Sequence, residues 1–154
     1  MSDNTRNVRV SFMNRVQDDL ETTEGLTVRW PGTAFGTSGN SEWIAPHDLG
    51  FTPLPINANS NPRHENWTFQ INCFARMGES PDQTSAYRID QLVDLVIDTF
   101  RWLELDVGDW TSGGSPVIGT LQFLQPDVTP VTTAISGSRG DQRAVTLPAH
   151  FDDT

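Results

Sequence analysis

The sequence predicts an α+β domain: an antiparallel or mixed β-sheet with two helices packed on one face, elements in the order α-β-β-β-α-β-β, and a long β-hairpin-like loop. Three observations carry this. Residues 66–77 alternate, with Trp67, Phe69, Ile71, Cys73 and Ala75 on one face and mostly polar groups on the other, the period of a half-buried strand. Ser80-Pro81-Asp82-Gln83 comes next, with Ser80 as cap, Pro81 at the first helical position and Gln83 closing a capping box. Then Ala86, Ile89, Leu92, Val93, Val96, Ile97, Phe100 and Leu103 recur at helical spacing.

The first element is read as a helix, because Val8, Phe12, Val16 and Leu20 recur every four residues and Asp3 to Thr5 offer caps. Its charges oppose the macrodipole, with Arg6 and Arg9 near the start and Asp18, Asp19 and Glu21 near the end. They are either solvated or compensated by a partner surface. Leu26 to Trp30 reads as a short strand ended by Pro31-Gly32, and Glu42 to Ala45 as another stopped by Pro46. Asp48 to Glu65 is expected to be a loop, part of it a projecting hairpin arm with Phe51, Leu54 and Ile56 as apolar anchors. After the second helix, Asp106 to Ser115 reads as a Gly/Ser/Asp linker. Val117 to Leu124 is a strand, Pro126 and Pro130 interrupt the segment beyond it, and Ile135 to Gly140 is a loop. Gln142 to Leu147 is the last strand. The chain is expected to be a single domain over 1–154, with residues 148–154 flexible.

Composition excludes several classes. At 154 residues the length fits one domain, and a 36% hydrophobic fraction fits one core with long exposed loops. The formal charge is −10, and all ten basic residues are arginine. Specific nucleic-acid binding is therefore not expected, since phosphate neutralisation needs clustered Lys or Arg. No apolar run is long enough to span a membrane, and the N-terminus has no secretory apolar core. A soluble chain made in a cytoplasm is expected. Cys73 is the single cysteine, so no intrachain disulfide forms.

Reactive chemistry finds little support. Cys73 shares the apolar face of its strand, where a thiol is buried and inert. His47, His64 and His150 stand apart in proline-bounded loops and the tail, with no i,i+4 pair and no CxxC. No catalytic residue, metal site or cofactor is expected. Asp90, Asp94 and Asp98 form an acidic row at i, i+4 and i+8, either a solvated face or one that meets arginines of another subunit or borders an anion channel. Arg139-Gly140-Asp141 is the tripeptide that integrin ligands present on loops, and it supports an extracellular binding module only weakly.

The chain resembles the tail terminator (tail completion) proteins of long-tailed bacteriophages. The resemblance rests on the opening helix, Val28-Arg29-Trp30-Pro31-Gly32-Thr33-Ala34-Phe35, the strand Glu42 to Ala45 and the long loop. It continues through the strand Asn66 to Ala75, the helix Tyr87 to Phe100 and the strand around Arg143 to Leu147. It implies a non-enzymatic virion protein of the tail or neck: an α+β subunit of a homohexameric ring that ends the tail tube. Its implied partners are the tube protein and the head-tail connector or stopper, with DNA passing through the ring. Phe51, Leu54, Ile56, Asp90, Asp94, Asp98 and Trp43 are the candidate contact residues. A head-closure or connector protein of the neck is the nearest alternative.

Overall fold

A computed structural model describes residues 4–35, 41–53, 64–76, 85–131 and 140–153. Among the described residues, two helices cover one face of a six-stranded antiparallel sheet, an α+β fold. The elements are α1 (Asn4–Arg15), a π-helical segment (Val16–Thr23), β1 (Glu42–Pro53), β2 (His64–Arg76), α2 (Ser85–Phe100), β3 (Glu104–Gly108), β4 (Val117–Phe123), β5 (Asp127–Val131) and β6 (Gly140–Asp153). The sheet order is β1-β2-β6-β4-β3, with β5 also paired to β6.

The strict spacing of four in the first helix explains its shape. On an α-helix every fourth residue overshoots a full turn by about 40°, so such a stripe drifts around the cylinder. The wider π turns from Val16 rotate less per residue and wind the drift back. Val8, Phe12, Val16 and Leu20 are consequently all fully buried. The opposing charges find partners within the chain: Arg9 pairs with Asp48, and Arg15 Nε lies 2.7 Å from Asp19 without its N–H aligned for a hydrogen bond. The Trp30 indole donates to Glu21 at 3.1 Å.

The core lies between the helices and the odd-numbered face of β2. Phe12 stacks on Phe69 at 4.2 Å and contacts Phe100 and Phe123, while Ile89, Leu92, Val96 and Phe100 of α2 are buried as their spacing predicts. Cys73 is buried in this core as expected.

Five expectations need correction. Leu26 to Trp30 forms only one parallel bridge, Val28 to Ile44, at the outer edge of β1. β1 does not stop at Pro46 but continues to Pro53, because an edge strand tolerates a residue that cannot donate. Asp48 to Pro53 is therefore strand rather than loop; residues 54–63, with Leu54 and Ile56, lie outside the described residues. The expected linker is β3, then a turn capped by Asp109 and pinned to α1, where Trp110 donates from its backbone to Asn7 and from its indole to Ser11, both at 2.9 Å. Nor do residues 148–153 form a flexible tail: β6 pairs with β2 as far as Asp152, and Phe151 is fully buried.

Two further prolines sit where no ladder bond is lost. Pro148 lies at the handover between Thr146, which pairs with β5, and Ala149, which pairs with β4. Pro130 is in β5, which pairs only with β6 among the described strands.

Candidate functional site

A β-bulge organises the end of the first hairpin. Asp48 faces Phe69 and Phe51 faces Trp67, so Leu49 and Gly50 oppose the single residue Thr68. Gly50 takes a positive φ of 102°, which a side chain would resist, and its N–H donates to Asp48 Oδ1 at 2.7 Å. The extra residue returns Phe51 to the core-facing side, where it stacks on Trp67 at 4.7 Å and remains 36% exposed. Leu49 beside it is 55% exposed. Phe51 thus has a place in the sheet that the plain period of two conceals.

Trp43 is placed differently from its expected role. It lies on the sheet face opposite the core, stacked on Phe74 at 5.0 Å, flanked by Phe35 and overlain by the Arg76 guanidinium. At 2% exposure its ring offers a partner almost no open surface. Its indole Nε1 has no acceptor among the described residues.

Asp90, Asp94 and Asp98 are all exposed on α2, away from its buried face. Two of them border a groove of about 380 Å³ between α2 and the start of β1. Leu26, Leu92 and Leu95 line it with apolar surface, and Glu42, Asp94 and Asp98 supply carboxylates. Apolar and uniformly acidic lining suits a segment that is itself apolar and carries arginine or lysine. A second cavity, about 230 Å³, is lined in part by Arg29, Trp30, Thr33, His47 and Phe74. Burial, reinforced by the Arg29 charge, holds His47 below the ordinary histidine value.

The register of β2 on β6 assembles a group that the sequence separates. His64 faces Asp152 and Asn66 faces His150, all four on the helix-free face. His64 Nδ1 contacts Asp152 Oδ1, and His150 Nε2 lies 2.9 Å from that same oxygen. His150 Nδ1 is 3.2 Å from Asn66 Oδ1. Reading the histidines as scattered misses this group. The available signal was His64-x-Asn66 and His150-x-Asp152, which alternation places on one face once both segments are strands.

Two sequence candidates end without a reactive setting. Burial raises the Cys73 thiol to about 12. Gly140 and Asp141 open β6 opposite Arg76 and Ala75 rather than forming a loop, and Arg139 lies outside the described residues. No helix among the described residues is long and apolar enough to cross a membrane.

No family model and no curated protein matches the chain. Sixteen solved chains are similar to it. One solved structure, which carries no stated role, matches with a TM-score of 0.60 at 18% identity, covering 97% of this chain and 95% of its own. At that identity the likeness concerns the fold alone.

Proposed function

We propose that the chain is a non-enzymatic subunit of a phage tail terminator ring, which caps the tail tube and joins it to the head-side neck. The observation that carries the reading is the groove between α2 and β1, where Leu26, Leu92 and Leu95 are bordered by Glu42, Asp94 and Asp98. Such a surface fits a repeated contact with an apolar and basic segment of a neighbouring subunit. The exposed Leu49 and half-exposed Phe51 at the hairpin end add a second apolar contact. Termination is then geometric: one ring face complements the last ring of the tube, the other does not repeat the tube's own face, and addition stops.

Electron microscopy of particles made with and without the intact gene tests the role. A ring is expected at the head-proximal end of the tube, and its loss should give tubes of unregulated length. Normal tubes in heads lacking closure would assign the chain to the neck instead, as a head-closure protein.

A further inference from the structure

We propose that His64, His150 and Asp152 form a binding site for a transition-metal dication of the zinc type, on the helix-free face of the sheet. This rests on the strand register and not on the ring role.

The donor set has the chemistry for it. Two imidazoles and a carboxylate from adjacent strands present one atom each, all within 4.8 Å of one another. Imidazole nitrogen favours zinc, copper, iron or nickel, whereas magnesium and calcium prefer all-oxygen sets. Three protein ligands leave a further position to water or to an exogenous group.

Asn66 adds an independent constraint. Its Oδ1 lies 3.2 Å from His150 Nδ1, the arrangement of a ring that donates its Nδ1–H. In the neutral ring Nε2 then carries a lone pair, aimed at Asp152 Oδ1 from 2.9 Å. Two acceptors do not face each other at that distance without a cation between them, either a proton on Nε2 or a metal ion. His64 Nδ1 converges on the same carboxylate oxygen. An ion bound by all three atoms resolves both contacts at once, and Asn66 becomes the outer partner that orients a metal-bound histidine.

The backbone beneath is rigid and the side chains can adjust. β2 and β6 pair continuously through this block, which fixes the four Cα positions. The side chains of His64, His150 and Asp152 are 34%, 31% and 46% exposed, so the rings can open around an ion and an ion can enter from solvent. Zinc bonds of about 2.0–2.1 Å to nitrogen require only that ring movement.

The test uses the full, untagged chain, stripped with chelator and titrated with Zn²⁺ alone by calorimetry and with Co²⁺ alone by visible absorption. One ion per chain is expected, with Co²⁺ bands that indicate nitrogen ligation. His150→Gln and His64→Gln should each weaken binding at least tenfold, and Asn66→Ala about tenfold through the lost orientation. Ring ¹⁵N NMR on the unaltered chain needs no variant: Zn²⁺ should selectively shift His64 Nδ1 and His150 Nε2, leaving His47 unmoved. Absence of binding, or binding unaffected by His150→Gln together with unshifted ring nitrogens, would overturn the proposal and leave a metal-free histidine–carboxylate contact.

Discussion

Cys73 and His47 show how local surroundings decide chemistry at the scale of one residue. Cys73 lies fully buried in the core, and burial lifts its thiol to about 12. The thiolate is the reactive form, so the native protein at pH 8 should resist a disulfide-exchange reagent and react only on denaturation. Rapid native labelling would place the thiol outside the core. His47 is held below 6.5 by burial and then by Arg29. The unfolded chain therefore binds more protons in the window from that lowered value up to 6.5, so folding stability rises with pH across it and falls on acidification. Urea midpoints at pH 7.5 and 5.5 should show a larger acid loss for the native chain than for His47→Gln. Equal losses would mean that His47 does not contribute.

Among the elements, those with a complete internal period were legible in the sequence. β2 and α2 carry their own burial pattern, and α1 an apolar stripe at every fourth residue, which marks the helix but not its π-helical end. Phe100 illustrates what that pattern encodes, since it is fully buried against Phe12 and Phe123 at ring separations of 5.4 and 5.0 Å. Phe100→Ala should cost about 3–5 kcal/mol in denaturant melts, because it removes transfer free energy and leaves a cavity. An unchanged midpoint would disprove the packing. Asp94→Asn, on the exposed face, should leave the midpoint nearly unchanged. The elements that escaped depend on distant residues. β3 and its turn look like a linker until Asn7 and Ser11 of α1 pin Trp110. The passage of β1 through Pro46 and of β6 through Pro148 depends on edge position and on a change of strand partner, neither of which is local. The histidine–aspartate group was hidden for the same reason, since nothing within either strand specifies that His64 faces Asp152.

For the whole molecule, the proposed ring sets charge against contact surface. The chain carries −10, and its groove on α2 adds three carboxylates to a shared border. Copies of such a subunit repel over about 30 Å at 0.01 M salt but only about 8 Å at 0.15 M. The isolated chain should therefore be monomeric at low salt, and become a ring when tube protein supplies a template and its contacts outweigh the repulsion. Light scattering coupled to sizing chromatography, with and without tube protein, measures this directly. Asp94→Arg combined with Asp98→Arg reverses the charge at the groove while leaving its apolar lining. That variant should melt within about 0.5 kcal/mol of the parent, because it alters only exposed positions, yet fail to form rings on tube protein. A stable dimer insensitive to tube protein would count against the ring. Rings formed normally by the double variant would show that subunits meet elsewhere, with the hairpin end at Leu49 and Phe51 the next surface to alter.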